Sequence, residues 1–174
     1  MIVTSSNLAT NLLVDLVGVE AAQQMLARHG IAGIDLLRGV EDEKAFGEAF
    51  NNRVTANGLV SLFRRIHEGK GLSEDSSRRM MDILFAQEFR SGIPAGLPAD
   101  VRERSKIANK TGEISVAAHD AGIVVLPDRQ PYVLAVLTEP DATTHKRMER
   151  VARVSSVVYE WVTSPNGSAA ESPS

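Results

Sequence analysis

Two short segments of this 174-residue chain hold residue types that can donate and accept protons. Ser5-Ser6-Asn7 stands where a helix pattern begins, and Lys110-Thr111-Gly112 stands at the end of a strand candidate. Together they offer hydroxyls, a side-chain amide and an ammonium, group types that acyl transfer uses. Singly, each has a plain structural reading. A Ser-Ser-Asn run caps helices, because a short side-chain oxygen accepts from the open N–H groups of the first turn. A Lys-Thr-Gly run can simply finish a strand. Their joint occurrence, 105 positions apart, favours the functional reading. Other candidates are thinner. Glu48 and Asn52 show an E-x-x-x-N spacing, yet Glu48 also reads as a solvated loop carboxylate. His119-Asp120 reads as a structural pair near a strand edge. His29, His67 and His145 lack H-E-x-x-H or any comparable spacing, so no metal site is expected. Gly69-Lys70-Gly71 lacks the spacing of a phosphate loop.

The two leading motifs resemble two of the three that mark the class A β-lactamase and penicillin-binding-protein superfamily of serine hydrolases, S-x-x-K, S-D-N and K-T-G. The flanks are similar too. Asn7 to Leu13 resembles the helix after S-D-N, and the stretch from Asn109 through a strand pair to a terminal helix resembles the last third of the fold. The likeness covers about residues 1 to 163. It implies opening of a β-lactam or related amide through a serine acyl-enzyme, with no cofactor. By the same resemblance, Ser5 relays a proton to the leaving nitrogen and Asn7 donates to the substrate's acylamino carbonyl. Lys110 and Thr111 hold the substrate carboxylate by charge and by a hydroxyl hydrogen bond, and Lys110 sets the proton affinity of Ser5. Gly112 lets the substrate backbone approach without a Cβ in the way. The backbone N–H of Glu113 supplies half of an oxyanion hole, and Glu48 is the candidate general base. The alternatives are a D,D-peptidase or esterase of the same fold, or a non-catalytic module that keeps the pocket. Family members usually act in the periplasm or outside the cell.

Three departures qualify the likeness. Ser6 stands where the family has aspartate, so the loop has no carboxylate brace. Glu48 and Asn52 lie close before Thr55, nearer than the family's loop places such a pair. Third, the residues three positions before Lys44, Lys70, Lys106, Lys110 and Lys146 are Glu41, His67, Glu103, Ile107 and Thr143, so S-x-x-K is absent from the sequence. In the family that motif lies in a segment that would precede Met1. The expectation is therefore a C-terminal part lacking the nucleophile, the first helix and two strands, and inactive by itself.

These residues need elements to hold them. Leu8, Leu12, Leu13, Leu16 and Val17 recur as one face of a helix that Gly18 can end. A second helix spans about Val19 to Arg28, with Ala22, Met25 and Leu26 inward. Ile31 to Leu37 reads as a short buried strand or turn, and Arg38 to Asn52 as loop or irregular helix. Thr55 and Ser73 cap two further helices, carrying Leu59, Val60, Phe63 and Ile66, then Met81, Leu84 and Phe85. Breakers fill Ser91 to Pro98. Strand candidates follow at Lys106 to Lys110, Ile123 to Leu126 and Tyr132 to Thr138. Thr143 or Thr144 caps a last helix with Met148, Val151, Val154, Val158 and Trp161 inward. The order predicts an α+β fold: four helices, a small antiparallel sheet and a C-terminal helix packed on it. The Ser- and Pro-bearing tail, 164 to 174, is expected to be disordered.

Composition narrows the classes. The formal charge of −3 gives no basic footprint for nucleic acid. Zero cysteines exclude disulfides, cysteine metal sites and a cysteine nucleophile in these residues. No apolar run is long enough to span a bilayer as a helix, and no signal peptide is visible. The expected partner is a small amide or β-lactam. In the family the strand at Tyr132 to Thr138 pairs with a strand that these residues lack, so an open apolar edge and self-association are expected.

Overall fold

The computed structural model describes residues 1–41, 50–139 and 143–165. It divides into two units, Met1–Glu88 and the residues from Phe89 onward.

The first unit is helical. Helix α1 spans Asn7–Val17, capped by Ser6, whose hydroxyl accepts from the Ala9 N–H at 3.2 Å. Gly18, at φ 81°, turns the chain directly into α2, Val19–Arg28. A two-residue strand β1, Ile34–Asp35, pairs antiparallel with β2, Arg53–Val54. Helix α3, Ala56–Glu68, is capped by Thr55, and α4, Glu74–Phe85, by Ser73, each through a side-chain oxygen. The caps and starts match the sequence expectations. Inwardness matches less well. Leu26, Ile31, Phe63, Met81 and Leu84 are buried, whereas Met25, expected inward, is exposed. The whole α1 stripe, Leu8, Leu12, Leu13, Leu16 and Val17, is also exposed. The expected buried strand at 31 to 37 shrinks to β1, with Ile31 as its one buried neighbour in that stretch.

The second unit is a sheet covered by a helix. A 3-10 turn at Ile93–Gly96 and a short helix α5, Ala99–Arg104, lead into β3, Lys106–Ile114. Strands β4, Ala117–Val125, and β5, Tyr132–Val136, complete an antiparallel sheet in the order β3-β4-β5. Helix α6, Thr144–Thr163, is capped by Thr143. Side chains alternate across a sheet, and one face joins Ile107, Ala118 and Val124 to Ile93, Leu97, Met148 and Val151 in a dry core. The fold class is α+β, with six α-helices and a small antiparallel sheet among the described residues.

Two expectations change. The strand expected to stop at Lys110 runs on to Ile114, so Lys110-Thr111-Gly112 lies inside it. The reversal that follows takes only Ser115 and Val116, since Ile114 already pairs with Ala117. The run Arg102-Glu103-Arg104 is exposed and closes α5. On α6 Met148 and Val151 are buried as expected, Arg147 and Ser155 are buried beside them, and Val154 and Trp161, expected inward, are exposed. Choosing only large apolar residues missed Ser155, because the close approach of the 3-10 turn asks for a small one there. A Cβ on Gly96 would come within 2.2 Å of the Ala152 carbonyl oxygen. Of the tail expected to be disordered, 164 to 174, residues 166–174 lie outside the described ones. Among the described residues no helix is long and apolar enough to cross a membrane.

Candidate functional site

In the first unit the site residues sit at the start of α1. Ser6 takes the capping role, so Ser5 and Asn7 are not consumed by it. Ser5 is half-buried and has φ 54°, a left-handed backbone that serine adopts at a cost of about 1 kcal/mol or more. Asn7 is exposed, and its Nδ2 donates to Oε1 of Glu41 at 2.6 Å. Glu41 is the other non-glycine residue with positive φ, at 60°. One turn along α1, Asn11 clamps the same segment from both sides. Its Nδ2 donates to the Val40 carbonyl at 3.0 Å, and its Oδ1 accepts from the Val40 N–H at 2.7 Å.

A second set of polar contacts joins residues 37 and 38 to residues 50–52. Asn52 Oδ1 accepts from the backbone N–H groups of Leu37 and Arg38 at 2.7 and 3.0 Å, and its Nδ2 donates to the Arg38 carbonyl. The Arg38 guanidinium donates to the Phe50 carbonyl and to Asn51 Oδ1, both at 2.8 Å. Glu48 itself lies outside the described residues. The carboxylate that the structure does bring to Asn7 is Glu41, which sequence reasoning missed. It stands in the charged run Glu41-Asp42-Glu43-Lys44 and carries no local signal. The usable signal was the i, i+4 pair Asn7 and Asn11, two amides on one helix face.

In the second unit, Lys110, Thr111, Gly112 and Glu113 are consecutive on β3, which forms one edge of the three-stranded sheet. Thr111 is buried opposite Asp120, and Lys110 lies opposite Ala121. The Lys110 ammonium is half-buried and donates to the Thr111 carbonyl. Burial pushes its proton affinity down, while the carboxylates of Asp120 and Glu113 pull it up. Gly112 and Glu113 are exposed, and a Cβ built on Gly112 meets nothing within 4 Å. No packing demand among the described residues thus requires glycine there. An edge strand also has one row of backbone N–H and C=O groups with no strand against it, able to pair with an extended ligand.

His119 and Asp120 are not a pair. Neighbours on a strand point to opposite faces. His119 Nδ1 accepts from the Thr138 N–H at 3.0 Å, and burial lowers the imidazole's proton affinity. Asp120 points into the core, accepting from the Ile93 N–H at 2.8 Å and from Asn109 Nδ2 at 3.1 Å. Burial pushes its carboxyl up to about 6.

Known proteins with this pattern are consistent. A family model described as the beta-lactamase enzyme family matches residues 1–162. The extended-spectrum beta-lactamase PER-1 of Pseudomonas aeruginosa is 26% identical over 171 residues, covering 90% of this chain and 53% of that protein. The solved structure of PBP-A is 30% identical with a TM-score of 0.80, over 92% of this chain and 57% of that one. The crystal structure of a beta-lactamase from Sphaerobacter thermophilus is 27% identical with a TM-score of 0.83, over 91% and 59%. The chain spans a little more than half the length of these relatives. By the match over nearly its whole length, the chain belongs to the beta-lactamase enzyme family.

Proposed function

We propose that these residues form the substrate-holding part of a class A-like serine hydrolase acting on a β-lactam or related amide. The observation that carries this reading is β3, an edge strand with Lys110 and Thr111 followed by a glycine over open space. In this reading the Lys110 ammonium and the Thr111 hydroxyl meet the substrate carboxylate, and the substrate lies along the strand over Gly112. The Glu113 N–H faces the carbonyl oxygen under attack. Ser5 relays a proton toward the leaving nitrogen, and Asn7 donates to the substrate amide. Glu41 adds a carboxylate at Asn7, and Glu48 keeps its place in this reading as the candidate general base. A variant of PBP-A has been captured as an acyl-enzyme complex with penicillin G, which supports the substrate class. The acyl-enzyme itself needs a serine of the S-x-x-K type, which these 174 residues do not contain.

The purified chain is therefore expected to bind benzylpenicillin and to leave a chromogenic cephalosporin intact. Lys110→Ala should weaken benzylpenicillin binding at least about tenfold, the worth of one charge-assisted hydrogen bond. Unchanged binding in that variant would sink the reading, and turnover by the chain alone would sink the expectation that it is inactive by itself. We also propose that β5, at the other edge of the sheet, supports self-association. Gel filtration across a concentration series should show larger species at higher concentration, and a monomer at all concentrations would refute it.

A further inference from the structure

The outer edge of β3 is not open along its whole length. In an antiparallel pair the backbone N–H and C=O of one residue point toward the partner strand, and those of the next point away. Glu113 stands opposite Ala118 on β4. The Ala118 N–H donates to the Thr138 hydroxyl at 3.3 Å, and its carbonyl accepts from the same hydroxyl at 2.7 Å. Thr138 follows β5, on the far side of β4 from β3. Glu113 and Ala118 therefore exchange no backbone bonds, and the N–H and C=O of Glu113 face the outer edge. By the same alternation Ile107, Asn109 and Thr111 turn theirs outward. The first part of this row is occupied. Arg90 Nη1 donates to the Ile107 carbonyl at 2.9 Å and to Asn109 Oδ1 at 3.3 Å. The Asn109 amide donates to the Phe89 carbonyl at 3.3 Å, so Phe89 and Arg90 lie against β3 here. Further on, the Lys110 ammonium donates to the Thr111 carbonyl. Burial follows the same division: Ile107, Ala108, Asn109 and Thr111 are buried, whereas Gly112, Glu113 and Ile114 are exposed.

We propose that Arg90 is a specificity-determining residue: by covering the outer edge of β3 at Ile107, it limits the strand's ligand to a short extended group that pairs at Glu113, and it shuts out a longer polypeptide strand. A strand advances about 3.4 Å per residue, so Gly112 to Ile114 offers about 7 Å of edge, the reach of one or two peptide units. Lys110 does not set this limit. Its ammonium bonds a neighbouring carbonyl from a flexible stem and can turn to an anionic ligand. Arg90 is held by two acceptors, and an incoming strand has to displace its guanidinium to reach Ile107. Arg90 is itself exposed, so the cover can be removed without opening the core. The inference rests on the reading of β3 as the ligand-holding strand, but not on the ligand being a β-lactam.

The test compares two probes, a blocked threonine-valine dipeptide and the hexapeptide made of three such units, titrated into the full 174-residue chain and followed by backbone amide NMR. In Arg90→Ala the ratio of hexapeptide to dipeptide affinity should rise at least about tenfold over the native chain, the worth of one charge-assisted hydrogen bond that no longer has to be displaced. The hexapeptide should then shift the Ile107 and Asn109 amides as well as that of Glu113. Arg90→Lys, which keeps a cation over the edge, should restore the native ratio. An unchanged ratio in Arg90→Ala, or no hexapeptide binding by that variant, overturns the proposal. So does an equal gain in Arg90→Lys, which would assign the effect to loosened packing rather than to cover of the carbonyl. A native chain whose Ile107 and Asn109 amides already shift with the hexapeptide overturns it too. Should Arg90→Ala not fold, Arg90→Met, which keeps the stem and loses the donors, takes the same test. Benzylpenicillin is a separate arm. If the native chain does not bind it while the peptides behave as expected, the β-lactam reading fails and the limit set by Arg90 stands.

Discussion

The two units bury their residues to different depths. From Phe89 onward, Ile93, Ile123, Val124 and Val151 have no exposed surface, and a polar pair is sealed among them. Between Met1 and Glu88 the apolar side chains reach only partial exclusion, with Phe63, Ile31, Leu84 and Leu26 as the deepest. The most regular apolar pattern of that unit, the leucine stripe of α1, faces solvent in this chain. Burial, rather than periodicity, sets how strongly a segment is held. The α1 region is held instead by directional polar contacts: the Ser6 cap, the Asn7 and Asn11 bonds to Val40 and Glu41, and the Gln87 bond to the Ile2 carbonyl. Such contacts fix geometry well but contribute about 1 kcal/mol each in net stability.

The largest expected effect breaks this comparison most directly. Ile93→Ala removes a fully buried side chain from the second unit and should cost about 2–5 kcal/mol. Leu16→Ala, at a position 80% exposed, should change stability by less than about 0.5 kcal/mol. Urea unfolding of both variants checks this, and comparable losses would show that the α1 stripe is buried in solution. Amide exchange should follow the same division, slow in β4 and α6 and faster in α1.

How much of this was legible beforehand also follows burial. Helix starts were readable because caps are local chemistry: Ser6, Thr55, Ser73 and Thr143 each accept from an N–H three residues on. The K-T-G position was readable from residue types alone. Partners set by register were not. Asp120 faces Thr111 only because the β3–β4 reversal is confined to Ser115 and Val116, and a strand expected to end at Lys110 cannot present that pairing. Glu41 reaches Asn7 across 34 positions, a distance that no periodicity encodes. The inner face of α6 was read only in part, with Met148 and Val151 right and Ser155 missed, for a related reason. Its fit depends on Gly96 and Ser155, small residues that carry no hydrophobic signal.

The second prediction sharpens the contrast through pH. Burial raises the Asp120 carboxyl from 3.8 to about 6, so the folded protein binds a proton there more readily than the unfolded chain. Stability from this group is therefore fully present below the unfolded value and is lost as pH rises toward about 6, by up to about 3 kcal/mol. His119 acts in the opposite sense. Burial lowers its proton affinity, so its contribution is present above the ordinary imidazole value of 6.5 and is lost as pH falls. Urea midpoints at pH 7, 5.5 and 4 for the native protein, Asp120→Asn and His119→Gln separate the two. The advantage of native over Asp120→Asn should grow on acidification, and an advantage constant with pH would contradict burial of an ionisable carboxyl. Glu68 in the first unit differs in kind. Its hydrogen bond from Lys70 lowers its proton affinity, but it stands at the surface, where salt screens such pairs.

The smallest expected effects compare the two motif halves, one in each unit. Ser5 has left-handed backbone, and Ser5→Gly relieves that strain at the cost of a more flexible unfolded chain. The net should be stabilising by at most about 1 kcal/mol. Gly112 has open space where a Cβ would stand, and Gly112→Ala restricts the unfolded chain without a clash. It should also stabilise, by about 0.4–1 kcal/mol. Both changes should nevertheless weaken benzylpenicillin binding, by loss of a hydroxyl at Ser5 and by a methyl group over the strand at Gly112. Thermal melts and binding on the same samples test the pair. If either variant is less stable than the native chain, its residue serves the fold and the functional reading of that half fails. If both are more stable and bind more weakly, each unit keeps a locally unfavourable residue for the ligand's sake, and the two halves differ in how they are held but not in what they are held for.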